Sequence, residues 1–183
     1  MLLTMDTKNP ILEIALEHLF GLEGGYVNDS SDRGGETKYG ISKKAYPKLN
    51  IKNLTIEQAS AIYKQDYWDV CKCDDMDIEM AIAVFDAAVN HGPRKAAMFL
   101  QQLVKSKLDG VIGNKTLASL RKHLVLNSTS ELIIKYLGIR AQFYHDIVRG
   151  DSSQAKFLKG WFIRLFKLQK FIILDVGLID WNR

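Results

Sequence analysis

The chain has 183 residues, of which 47% are hydrophobic and 25% charged, and its net charge is +4. This length allows one well-buried core or two small lobes. Two cysteines, Cys71 and Cys73, are too few for a disulfide scaffold or a structural metal site, and no uncharged apolar run approaches the ~18–20 residues of a membrane span. The positive charge would attract nucleic acid, anionic lipid or cell wall alike.

Apolar residues at helical spacing predict a first helix over residues 11–22, with Pro10 in its first turn. Glu23 stands at its C-terminal end, where two glycines stop the helix. Residues 24–40 have no helical period, and we expect a long loop with a small β-ribbon. A loop of this length in a compact protein is usually functional.

Six further helices are predicted from apolar periodicity, breakers and two capping boxes. The first three run over Thr55 to Trp68, Glu79 to His91 and Pro93 to Val104. A short helix with Leu117 and Leu120 follows Gly113-Asn114, a long one runs from Ser128 to Gly150, and the last contains Phe157, Trp161, Leu165 and Leu168. The sequence therefore predicts a mainly α protein of about seven helices around one irregular loop.

The loop after the first helix carries a second carboxylate, Asp32, and a hydroxyl, Thr37. A carboxylate at a helix end, facing a polar loop with a second carboxylate, suits glycoside hydrolysis. Leu19 and Leu22 would help to desolvate Glu23 and raise its pKa. The alternative is a solvated glutamate, although the helix dipole disfavours a negative charge there.

Four motifs follow one another along the first half of the chain. They are Glu23-Gly24-Gly25-Tyr26-Val27-Asn28-Asp29, Asp32-Arg33-Gly34-Gly35-Glu36-Thr37-Lys38-Tyr39-Gly40-Ile41, Ala59-x-x-Ile62-Tyr63-x-x-Asp66-Tyr67-Trp68-Asp69 and Phe85-Asp86-Ala87-Ala88-Val89-Asn90-His91-Gly92-Pro93. This series resembles glycoside hydrolase family 108, the lysozyme-like N-acetylmuramidases of bacteria and their phages.

The second half resembles the peptidoglycan-binding module that usually follows in that family. Its marks are Leu100-Gln101, Asp109-Gly110-Val111-Ile112-Gly113-Asn114-Lys115-Thr116, Arg140-Ala141-Gln142-Phe143-Tyr144 and Gly160-Trp161. The resemblance implies a lysozyme-like helical fold with a muramidase region over 11–92, a peptidoglycan-binding-like region over 93–166 and a tail over 167–183. We expect the first two regions to pack as one compact unit.

The resemblance also assigns roles. Glu23 would be the general acid, Asp32 the base that holds a water, and Thr37 its orienter, with Asp29 as the rival of Asp32. Phage-type lysozymes space these residues as Glu, eight residues, Asp, five residues, Thr, and here the second gap has four. An inverting reaction predicts carboxyls ~6.5–9.5 Å apart, whereas ~5 Å would indicate a retaining route.

Tyr26, Tyr39, Tyr67 and Trp68 are predicted to line a sugar groove, and Asn90 (with its neighbour His91) to bond N-acetyl groups. Core packing is an equal alternative for Tyr67 and Trp68, and a helix cap for Asn90. We expect neither a metal nor another cofactor.

The expected partner is peptidoglycan, without nucleic acid or stable membrane insertion, and the expected state is a monomer. The N-terminus shows no secretion signal, so we expect synthesis in the cytoplasm and later release to the wall, as in a phage or prophage endolysin. The alternatives are a lytic transglycosylase and a non-catalytic wall-binding protein. Arg164, Lys167 and Lys170 predict a solvated basic helix face, with membrane-surface contact as the alternative.

Overall fold

The computed structural model describes residues 9–22 and 35–176. Within these ranges it contains seven α-helices and one two-stranded antiparallel ribbon, which confirms the mainly α fold. The elements are α1 (Pro10–Leu22), β1 (Thr37–Lys38), β2 (Ile41–Ser42), α2 (Ile56–Tyr63), α3 (Ile78–His91), α4 (Pro93–Leu103), α5 (Asn114–Leu126), α6 (Thr129–Gly150) and α7 (Leu158–Lys170). No helix in the described ranges is long and apolar enough to cross a bilayer.

The chain divides into two compact units, Met1–Trp68 and Asp69–Arg183. This boundary lies inside the segment 11–92 that the sequence assigns to the muramidase region. The predicted domain limits therefore remain a prediction.

In the first unit, local signals set the start of both helices. The side chain of Asn9 accepts hydrogen bonds from the backbone N–H groups of Ile11 and Leu12, at 3.1 and 3.0 Å, and Pro10 needs no such partner. Thr55 and Gln58 form both hydrogen bonds of a capping box at the start of α2. The buried face of α1 repeats at helical spacing, through Leu12, Ala15, Leu16 and Leu19.

The second unit is built around α3. Nine consecutive residues of this helix, Met80 to Ala88, are buried, which is typical of a helix enclosed by its neighbours. α4 and α6 contact it, as does the π-helical turn Phe171–Val176. Gly92, with φ of 81°, separates α3 from α4.

The C-terminal helix continues further than the sequence indicates. α7 passes directly into the turn Phe171–Val176, and Leu168, Ile172 and Val176 are all buried. The segment that the sequence assigns to a tail is therefore helical and packed as far as Val176. α5 is likewise longer than predicted and ends at Leu126.

Candidate active site

The predicted site residues fall into three groups. Glu23, Tyr26 and Asp32, together with the rival Asp29, lie outside the described residues. Thr37, Tyr39, Tyr67 and Trp68 belong to the first compact unit, and Asn90 belongs to the second. The first unit is therefore where the described part of the site can be built.

A tight hairpin carries Thr37 and Tyr39. The ribbon pairs Thr37 with Ser42, and Tyr39 and Gly40 form the two-residue turn. Both turn residues have positive φ, 53° and 75°, which is the pattern of a type I′ hairpin. The Thr37 hydroxyl donates a hydrogen bond to the carbonyl of Gly35 at 3.3 Å. A positive φ is costly for tyrosine, so surrounding contacts must hold this turn.

Two aromatic residues, Phe20 and Tyr63, provide those contacts. The Tyr39 ring lies 5.6 Å from that of Phe20 on α1, and the Tyr63 hydroxyl donates a 2.8 Å hydrogen bond to the Tyr39 carbonyl. Tyr63 also packs edge-on against Phe20 at 5.8 Å and lies 5.6 Å from Tyr67. We call these four residues the aromatic cluster. Tyr63 is buried, whereas the other three rings are half-buried and leave surface for a flat ligand.

A second hydrogen bond fixes the segment that follows the hairpin. The Tyr46 hydroxyl donates to Asp66 Oδ2 at 2.7 Å, next to Tyr67. Burial raises the pKa of Tyr46, and the Asp66 carboxylate raises it further, so the hydroxyl stays protonated. Asp66 and Tyr67 lie in a π-helical turn, Lys64–Trp68, that extends α2.

Trp68 agrees with the core-packing alternative that the sequence left open, whereas Asn90 bonds back to its own helix and does not cap the helix end. Trp68 is completely buried, which favours core packing over a groove wall. The Asn90 amide donates to the Asp86 carbonyl at 2.8 Å and to its carboxylate at 3.2 Å, within the last turn of α3. A role for either residue in binding substrate remains a prediction.

The buried carboxylate of Asp86 is a feature that sequence reasoning missed. Asp86 is 4% exposed, and its Oδ2 lies 2.8 Å from Nη2 of Arg140 on α6. Its Oδ1 accepts hydrogen bonds from Arg164 on α7, at 3.1 Å from Nε and 2.9 Å from Nη2. Burial by itself would raise the pKa of Asp86, but the two arginines outweigh it and lower that pKa. The carboxylate therefore stays charged and joins α3, α6 and α7.

The prediction of a solvated basic stripe is wrong for Arg164. Its side chain is 19% exposed and points to Asp86, whereas Lys167 and Lys170 are exposed as predicted. A lone acid within the apolar run of α3 was the available signal, because a buried carboxylate requires a cationic partner.

His91 is a packing residue in this structure. Its ring lies edge-on to Phe99 and Phe143, and Nε2 is 3.1 Å from the Tyr144 hydroxyl. Burial, followed by the charge of Arg140, lowers the pKa of His91 to about 4. The imidazole is therefore neutral at pH 7.

In the second half, the side chain of Gln101 holds the loop around Asp109 and Gly110, which precedes α5. The Gln101 side chain is buried, its Nε2 donates to Asp109 Oδ1 at 2.7 Å, and its Oε1 accepts from the backbone N–H of Gly110 at 2.9 Å. Gly110 has φ of 76°, and a Cβ there would lie 2.6 Å from Cγ of Arg94. The glycine is therefore required by backbone conformation and by space. Among the described residues, no group of three or more His, Cys, Asp or Glu side chains could hold a metal ion.

The family model described as glycosyl hydrolase 108 matches residues 16–92, and the one described as a predicted peptidoglycan domain matches residues 95–166. The solved structure of SagA from Brucella abortus is 32% identical and superposes with a TM-score of 0.75, over 88% of this chain and 93% of that one. No curated protein matches the sequence.

Proposed function

As a member of glycosyl hydrolase family 108, this chain is a glycoside hydrolase that acts on peptidoglycan, and we propose that it cleaves the β-1,4 bond between N-acetylmuramic acid and N-acetylglucosamine. The peptidoglycan domain in its second half supports the same polymer as the partner.

One observation carries this proposal. The contact between Phe20 and Tyr39 holds the hairpin that contains Thr37 against α1, and α1 ends at Leu22, one residue before Glu23 in the sequence. The hairpin and the end of α1 thus belong to one packed corner. The half-buried rings of the aromatic cluster offer flat apolar surface to a sugar ring at this corner.

In the proposed mechanism, Glu23 gives its proton to the oxygen of the leaving sugar as the glycosidic bond breaks. Asp32 takes a proton from a water molecule, and the oxygen of that water bonds to the anomeric carbon from the opposite face. Thr37 orients the water. The anomeric configuration is inverted, which requires the two carboxyls to stand ~6.5–9.5 Å apart.

The test is product analysis on purified peptidoglycan. We expect Glu23→Gln and Asp32→Asn each to lower the rate by at least about a hundredfold, since a positioned acid or base contributes that much. Glu57→Gln, which changes an exposed carboxylate on α2, is the matched control and keeps full activity. Wall clearing by folded Glu23→Gln at the wild-type rate would overturn the assignment.

The same products distinguish the remaining alternatives. Hydrolysis adds one water to each cleaved bond, whereas a lytic transglycosylase leaves an anhydro sugar lighter by that water. NMR of the fresh product shows the α-anomer for inversion and the β-anomer for retention. A monomeric state and a phage or prophage setting remain predictions, the first of them accessible to analytical ultracentrifugation.

A further inference from the structure

The outward face of α7 combines exposed apolar and basic side chains. Residues spaced three or four apart lie on one side of a helix. Five such residues are exposed on α7, and we call them the α7 outer face: Lys159, Ile163, Phe166, Lys167 and Lys170. Ile163 is 44% exposed and Phe166 is 64% exposed, so both present large apolar surface to solvent.

The opposite side of the same helix is firmly anchored. Leu165 and Leu168 are buried, and Arg164 is paired with Asp86 at 2.9 Å. The next turn, Phe171–Val176, contacts α3. The α7 outer face is therefore presented on a rigid helix and needs no folding step before it meets a partner.

The charge of this region has one sign. Between Ser152 and Leu174 the sequence contains five basic residues and no acidic one. Arg164 is neutralised by Asp86, and the other four are exposed lysines: Lys156, Lys159, Lys167 and Lys170. A partner that complements this face must carry negative charge.

We propose that the α7 outer face docks the protein on the surface of an anionic phospholipid membrane. A hydrated anionic polymer would complement the lysines but would leave Ile163 and Phe166 in water. A phospholipid surface satisfies both features, because headgroups attract the lysines and the acyl boundary accepts the apolar side chains. This inference is independent of the proposed bond cleavage.

Vesicle sedimentation with the full chain tests the proposal. The probes are sucrose-loaded vesicles of mixed phosphatidylglycerol and phosphatidylcholine, and vesicles of phosphatidylcholine alone. We expect the protein to pellet with the anionic vesicles and to stay in solution with the neutral ones. Raising the salt concentration should weaken binding, because it screens the lysines.

Two double variants separate the apolar contribution from the charged one. We expect Lys167→Gln/Lys170→Gln to weaken binding by about tenfold or more, since every lysine near an anionic surface strengthens binding several-fold. We expect a loss of about the same size in Ile163→Gln/Phe166→Gln, because binding scales with the apolar area buried at the acyl boundary. The matched control is Val125→Gln/Leu126→Gln on α5, where the side chains are 84% and 81% exposed. This control removes more exposed apolar surface and should leave binding unchanged, and thermal melts confirm that all variants fold.

Three results would overturn the proposal. The first is no pelleting of wild type with anionic vesicles. The second is an equal loss of binding in the α5 control, which would indicate general stickiness. The third is a wild-type dimer that Ile163→Gln/Phe166→Gln converts to monomers, since the face would then be covered by a second copy of the chain.

Discussion

Replacing Asp86 by asparagine keeps the shape of the side chain and removes its charge. In the wild type, this carboxylate is 4% exposed, forms an ion pair with Arg140 at 2.8 Å and accepts hydrogen bonds from Arg164. Arg140 is fully buried, so in Asp86→Asn it would remain charged without an anionic partner at 2.8 Å. The variant therefore creates an uncompensated buried charge.

Breaking a buried ion pair by removing one partner costs about 3–5 kcal/mol of the free energy of unfolding. For a chain of this size, such a loss corresponds to a decrease in Tm of roughly 6–20 °C. Arg164 adds to the cost, but its side chain is 19% exposed and water compensates it in part. We therefore attribute most of the loss to Arg140.

Urea denaturation followed by circular dichroism at pH 7 measures this effect. The matched control is Glu131→Gln, which breaks an ion pair of the same 2.8 Å length with Lys135 on the exposed face of α6. That control should cost less than about 1 kcal/mol, because exposed pairs contribute little. Equal losses in the two variants would refute the argument that burial makes the Asp86 cluster important.

Three further outcomes are expected. Because the pKa of His91 is lower in the folded protein than in the unfolded chain, the unfolded chain takes up a proton first, and wild-type stability should fall as the pH drops from 6.5 towards 4. In His91→Phe, the loss of unfolding free energy between neutral pH and pH 5 should be smaller by about 1 kcal/mol, measured from denaturation curves. Tyr63→Phe removes the hydrogen bond to the Tyr39 carbonyl and should lower the free energy of unfolding by about 1 kcal/mol, while peptidoglycan turnover falls several-fold. Unchanged turnover would contradict a positioning role for the hairpin. Gly110→Ala should destabilise by about 2 kcal/mol, whereas Gly138→Ala, in the exposed interior of α6 with open space around it, should stabilise by up to about 1 kcal/mol in the same assay.

The helices could be predicted because the signals that limit them are local. Pro10 and the capping box of Thr55 with Gln58 act within one turn, and the structure confirms both. At the start of α6, Ser128 accepts from the backbone of Glu131 as predicted, while the Glu131 carboxylate pairs with Lys135. Helix lengths were less accurate. α7 continues into a turn whose Ile172 and Val176 are buried by distant residues, whereas the end of α5 is exposed and is held locally by the Asn127 amide, which donates to the His123 carbonyl at 2.8 Å.

The charged cluster could not be predicted from periodicity. Arg164 and Lys170 look equivalent in the sequence, but one faces Asp86 and the other faces solvent. Which of them turns inward is decided by a carboxylate 78 residues away from Arg164. The left-handed conformation of Tyr39 is similar, because it depends on Tyr63 in another element.

The candidate site rests partly on sequence and partly on structure. The resemblance to family 108 led to Thr37 and Tyr39, and the structure adds Phe20 and Tyr63 as the residues that hold them. Glu23 lies outside the described residues, so its role rests on family membership and remains for mutation to test.

The distance along the chain between Asp86 and Arg164 bears on how the protein is made. Contacts of long sequence separation form late, because the intervening chain must first be ordered. Until α7 leaves the ribosome, Asp86 lacks one of its two guanidinium partners, and the side of α3 that the turn Phe171–Val176 contacts is uncovered. We therefore expect the second unit to complete its core only once α7 and the turn Phe171–Val176 have left the ribosome.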